Sequence, residues 1–126
     1  MYTYEIDNDR AVITFEGDLD NVQIRQAYEE VTSDPSFLPG SQVLVDDLKS
    51  GYDPSMMEAQ KLVQIFSSFS DRIAQFAIVV RKDVHFGLGR MVEVYCESQG
   101  VNLRIFRELQ EAESWLDSTR AEAESL

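Results

Sequence analysis

The chain has 126 residues, enough for one domain of ordinary size and too few for two. With 44% hydrophobic and 27% charged residues it has the apolar material to bury one core, which excludes an intrinsically disordered chain. Its 23 acidic residues against 11 basic ones give a formal charge of −12, the wrong sign for neutralising nucleic-acid phosphates or for binding an anionic membrane surface.

The first twenty residues predict a β-hairpin, with strands over Tyr2–Ile6 and Ala11–Glu16 joined by Asp7-Asn8-Asp9, residues that tolerate tight turns. After Gly17 the period changes: Ile24, Ala27, Tyr28 and Val31 form the apolar stripe of a helix that starts near Asp18 or Asp20 and stops before Pro35. Pro39-Gly40 turns into a strand over Gln42–Asp46, whose unbroken Val43-Leu44-Val45 centre predicts cover on both faces. Asp53-Pro54 has the form of an N-cap followed by proline at the first helical position, and Met56, Ala59, Leu62, Val63, Phe66 and Phe69 carry that helix to Phe69. A strand over Phe76–Val80, a helix from Phe86 to near Gly100, an alternating strand through Val101, Leu103 and Ile105, and a helix carrying Leu109, Ala112, Trp115 and Leu116 complete the chain.

The order β-β-α-β-α-β-α-β-α, with short connections, predicts an α/β single domain: a mostly parallel five-stranded sheet flanked by helices. Residues 1–118 are expected to form that domain and 119–126 an acidic C-terminal tail. The longest apolar run is five residues, Phe76 to Val80, and MYTYEIDNDR has no basic stretch leading into an apolar one, so neither a signal peptide nor a membrane span is expected. Cys96 and His85 are each single, which rules out an internal disulfide and a His/Cys metal cage and suits the reducing cytoplasm.

Three segments carry a family resemblance. Val12-Ile13-Thr14-Phe15-Glu16-Gly17-Asp18-Leu19-Asp20 resembles the strand, Gly, x, Leu, Asp opening of STAS domains. Val43-Leu44-Val45-Asp46, followed by Asp53-Pro54-Ser55 at a helix start, is similar to the STAS strand that leads into an Asp-Ser-Ser-Gly loop. The ending Val101-Asn102-Leu103-Arg104-Ile105-Phe106 and Glu111-Ala112-Glu113-Ser114-Trp115-Leu116 resembles that of SpoIIAA-like proteins. The resemblance implies a non-catalytic regulatory module that binds a protein partner, such as a kinase-like or anti-sigma regulator, and uses no cofactor. It further implies a partner surface and serine phospho-switch over Lys49–Met57, here carried by Ser50, Asp53, Ser55 and Met56. The motif departs from the family at Pro54, which replaces the first serine, and at Met56, which replaces the glycine.

From the residues themselves the unusual stretch is Arg72 to Arg90, where Arg81, Lys82 and Arg90 gather around His85 in an otherwise acidic chain. These four residues lie at the end of an interior strand and the start of a helix, the edge where open α/β sheets take ligands, and they are candidates for binding an anion or acidic partner. Gly87-Leu88-Gly89 would let backbone N–H groups approach such an anion, although a lone Gly-x-Gly is a poor phosphate signature. Charges pairing in a solvated loop are the competing account of these residues. A small anionic or lipid-like ligand is the alternative function, with Met56, Met57, Met91 and the phenylalanines as pocket lining if they are not simply core. Asp46-Asp47 could hold Mg²⁺, but strand-end solvation explains the pair as well. No nucleophile elbow is present and Cys96 has no histidine one turn away, so no catalytic residue is expected. The sequence gives no indication of oligomeric state.

Overall fold

A computed structural model describes residues 1–125, with side chains described through residue 120. The hairpin forms as expected, β1 (Tyr2–Asp7) pairing antiparallel with β2 (Arg10–Gly17). Asn8 turns it at φ 55°, a left-handed conformation that asparagine reaches more easily than most residues. Three crossovers follow: α1 (Asn21–Ser33) to β3 (Ser41–Ser50), α2 (Met56–Phe69) to β4 (Ile73–Val79), and α3 (Asp83–Ser98) to β5 (Leu103–Phe106). The chain closes with α4 (Leu109–Ser125), which runs through most of the expected tail; Leu126 and the side chains of residues 121–126 lie outside the described residues.

The sheet order is β1-β2-β3-β4-β5, with β2 to β5 parallel. Ile24 and Tyr28 of α1, Leu62 and Phe66 of α2, and Val92 and Cys96 of α3 share one core with Ile13, Val43, Phe76 and Ile105 of the sheet. Tyr28 anchors that core, its ring lying 5.8, 5.6 and 5.9 Å from those of Phe66, Phe69 and Phe76. The opposite face holds a smaller core, in which Leu44, Ala77 and Val79 meet Ala112 and Leu116 of α4. Leu44 thus faces away from Val43 and Val45, as an interior strand covered on both sides requires. Polar clamps reinforce α4: the buried amide of Gln42 donates to the Leu116 carbonyl at 2.8 Å and to Gln75 at 2.7 Å, and Arg10 binds Asp117.

Several expected element starts move: β4 begins at Ile73, three residues before Phe76, β5 begins at Leu103, after Val101, and two helix starts shift with consequences for the site. Helix α2 is capped by Ser55 and not by Asp53, because Ser55 and Glu58 form a reciprocal capping box: Glu58 N–H donates to Ser55 Oγ and Ser55 N–H to Glu58 Oε1, both at 3.1 Å. Asp53 is thereby released for another role. Helix α3 starts at Asp83, three residues before Phe86, and ends at Ser98, with Gly100 just past the Gln99 cap at φ 76°. That earlier start puts Gly87 and Gly89 inside the helix, where their N–H groups are spent on helical bonds; the expected anion-approaching glycine loop does not form.

The two glycines have different surroundings. A Cβ at Gly87 meets nothing within 4 Å, whereas one at Gly89 would lie 2.9 Å from both Cγ atoms of Ile105, so Gly89 is what lets α3 approach β5. Gly87→Ala is expected to raise stability by about 0.5–1 kcal/mol, through helix propensity alone. Gly89→Ala is expected to lower it by about 1–2 kcal/mol, overpacking outweighing the same propensity gain. Denaturant titration of both variants checks the opposite signs.

Candidate functional site

Strand β3 carries an irregularity that shapes the site. Thr14 pairs with Asp46 and Glu16 with Lys49, so two residues of β3, Asp47 and Leu48, stand where β2 has only Phe15. Asp46 Oδ1 accepts from Leu48 N–H at 3.0 Å and satisfies the donor that the bulge frees. Asp46 and Asp47 project to opposite faces of the pleat, so they do not form a chelating pair. Among the described residues no group of three or more His, Cys, Asp or Glu side chains could hold a metal ion.

Asp47 projects into a cavity of about 70 Å³ beneath the β3–α2 connection. Its walls are largely apolar, with Phe15, Val45, Ile78 and Ile105 from the sheet and Leu62 and Val92 from the helices. Ser50, Tyr52 and His85 join Asp47 in the lining. The Ser50 hydroxyl donates to the Asp47 backbone carbonyl at 3.4 Å, and the Tyr52 hydroxyl donates to the Asn21 side chain at the start of α1. Asn21 in turn donates to the Glu58 carbonyl at 3.0 Å, and His85 Nε2 lies 2.9 Å from Asp53 Oδ1. These bonds stitch the starts of α1, α2 and α3 together around the cavity.

The carboxyls of this region behave in opposite ways. Asp47 Oδ1 is shut off from solvent and has no hydrogen-bond partner; burial pushes the Asp47 pKa up to about 7, with the neighbouring charge of Asp46 adding to the rise and Ser50 and His85 opposing it. Asp53 is exposed, and its hydrogen bond to His85 holds its carboxyl below the ordinary carboxylate range. Burial raises Tyr28 and Tyr52, and Asp47 contributes to both shifts. Cys96 is fully buried and its thiol is raised to about 11 by that burial, as a small core residue rather than a nucleophile.

The structure brings Ser50, Asp53, Ser55 and Met56 together along the β3–α2 connection, with Ser50 half-buried over the cavity and the other three exposed. It does not gather the four basic candidates. Arg81 and Lys82 are exposed, and the Arg81 carbonyl accepts from Arg107. His85 turns inward to Asp53, while Arg90 stacks on Phe86 at 4.9 Å and pairs with Glu93 at 2.9 Å. Asp47 and Tyr52 line the cavity, a role not expected from the sequence, where Asp47 stands only as half of a possible Mg²⁺ pair and Tyr52 only as part of the Lys49–Met57 segment. The one available signal was a charge doublet wedged between Val45 and Leu48 in an apolar strand.

No protein-family model matches the chain, and no curated protein matches it in sequence. Its structure is similar to that of an anti-sigma factor antagonist from Mycobacterium paratuberculosis, with a TM-score of 0.61, 15% identity and 93% of each chain covered. It is equally similar to an uncharacterized protein from Shewanella loihica PV-4 described as having a SpoIIAA-like fold, with a TM-score of 0.59, 15% identity and 92% of each chain covered. The fold is SpoIIAA-like. The STAS and SpoIIAA resemblance read from the strand ends and the C-terminal segment therefore agrees with the three-dimensional architecture. Within this SpoIIAA-like fold the cavity sits under the starts of α2 and α3, and no helix among the described residues is long and apolar enough to cross a membrane.

The raised carboxyl of Asp47 makes stability depend on pH. A carboxyl that titrates near 7 when folded and near its ordinary value when unfolded binds more protons in the folded state across that window. Its stabilising contribution is therefore complete below the unfolded value and is lost as the pH rises through about 7. Asp47→Asn keeps the shape and removes the charge. It should raise stability at pH ~8 by up to about 4 kcal/mol and change it little near pH ~4. Thermal denaturation at both pH values checks the sign and the window.

Proposed function

We propose that this chain is a non-catalytic regulatory module that binds a protein partner through the Lys49–Met57 connection and the adjoining starts of α1, α2 and α3. The observation that carries the reading is a set of unpartnered apolar side chains at those starts: Val22, Met56, Met57 and Val84 are 54 to 65% exposed. They stand around the Asn21–Glu58 and Asp53–His85 bonds that join the three helix ends. Exposed apolar groups clustered at one edge are a signature of an interaction surface, and methionine adapts to a partner's contours. The likeness to an anti-sigma factor antagonist supports the same reading. By the same analogy the partner is an anti-sigma or kinase-like regulator, and the free Cys96 fits a reducing cytoplasm.

Ser55 is the residue suited to a phospho-switch on this surface. It is exposed at the N-cap of α2, where a phosphate would gain free N–H groups and the positive end of the helix dipole. It would also displace the capping box and face Glu58, so modification changes both the charge and the local order of the docking edge. Thr32 is buried, its hydroxyl donating to the Tyr28 carbonyl at 2.7 Å, and it offers no such site.

The test is affinity capture from the native host with immobilised wild-type and variant protein. Met57→Asp should abolish retention of a stoichiometric partner, with a loss of about 30-fold or more in affinity, the size expected when a hot-spot contact is removed. Ser55→Glu should weaken it at least ~10-fold. Val94→Asp, at an exposed apolar position on the outer face of α3, should leave it intact. Equal retention by the Met57→Asp and wild-type proteins would sink the reading.

A further inference from the structure

Asp47 Oδ1 is an acceptor without a donor. It is closed to solvent and receives no hydrogen bond, and Asp47 itself lies at the wall of a cavity whose other lining is mostly apolar. A buried carboxyl oxygen left unpaired is costly. The β-bulge opposite Phe15 turns this side chain inward, while Asp46, one residue earlier, has its own backbone donor. The neighbouring polar groups leave Oδ1 unserved: Ser50 lies against Asp47 and donates to its backbone carbonyl at 3.4 Å without reaching Oδ1, Tyr52 is committed to Asn21, and His85 to Asp53.

The cavity also limits what can enter. At about 70 Å³ it is roughly half the size of a dry protein cavity that accommodates benzene, so it takes a short chain of a few carbons. An anionic head is disfavoured because it would meet the Asp47 carboxyl in an apolar enclosure with no free cation. Arg90 is turned to Glu93, and Arg81 lies exposed outside. We propose that this cavity is a binding site for a small apolar molecule with one hydrogen-bond-donating head, a primary amine or alcohol, whose donor docks on the Asp47 carboxyl once rotation of that side chain turns Oδ1 to the cavity. The choice of donor over anion runs against the anionic ligand expected for the basic segment Arg81–Arg90. The site lies directly beneath the proposed partner surface: Ser50, Tyr52 and Pro54 of the Lys49–Met57 connection line it, whereas Met57, on the outer side, does not.

n-Butylamine, n-butanol and butyrate have the same chain and differ only in the head. Titrated into the 126-residue protein and followed by amide NMR, butylamine and butanol should give saturable shifts at Asp47, Tyr52 and Val92, with dissociation constants on the order of millimolar, as ligands of this size permit. Butyrate should bind at least tenfold more weakly. Asp47→Asn should cost the amine at least tenfold and butanol less than threefold. Asp47→Leu, which fills the space at the anchor with an apolar group, should abolish both while the protein stays folded by thermal denaturation. Saturable binding of butyrate as tight as that of butylamine would overturn the proposal. So would unchanged amine binding in Asp47→Leu, or the absence of saturable shifts with both donor probes.

Discussion

Right-handed crossovers that each step to the next parallel strand in the same direction must lay their helices on one face of the sheet. The constraint governs the rest of this molecule. Because the order β1-β2-β3-β4-β5 never reverses, α1, α2 and α3 share the large core, and the other face is left to a single helix, α4. A sheet without reversal also lacks the crevice that doubly wound folds open at their switch point. Space for a ligand has to be made by local means.

The β-bulge supplies it. By placing two residues opposite Phe15, β3 departs from plain pairing at the depth where the β3–α2 connection arches over the core, and it carries a carboxyl into apolar surroundings. The same connection releases Asp53 from capping duty, because the Ser55–Glu58 box serves α2, and sends it to His85. One short segment thus bounds a cavity on its inner side and presents Met56 and Met57 on its outer side. Burial and exposure divide along it residue by residue.

The elements were readable where patterns were strong. Val43-Leu44-Val45 announced a strand covered on both faces, and the stripe Ile24, Ala27, Tyr28, Val31 announced α1. The start of α2 was harder because two valid capping patterns overlap, Asp53-Pro54 and Ser55 with Glu58; the second satisfies two donors reciprocally and prevails. The basic stretch misled because proximity in sequence is not convergence in space: on a helix beginning at Asp83, His85 and Arg90 meet different partners. The inward turn of Asp47 was hidden for another reason. A bulge depends on the register between two strands, and no single segment encodes it.

The two faces differ in how firmly they hold. The large core is knit by three helices and an aromatic cluster, whereas α4 sets Ala112 and Leu116 on Leu44, Ala77 and Val79 of the sheet and is otherwise held by the amide clamp from Gln42 and by ion pairs of Asp117 with Arg10 and Arg120 with Asp9. Opening energies within a native protein follow that distribution of buried contacts. Helix α4 is therefore the unit that detaches first, with the other three helices still in place. Its departure would bare Leu44, Ala77 and Val79 and unpair the buried Gln42, so backbone amides of α4 should exchange with solvent through a partial opening that leaves Tyr28 and its ring partners packed.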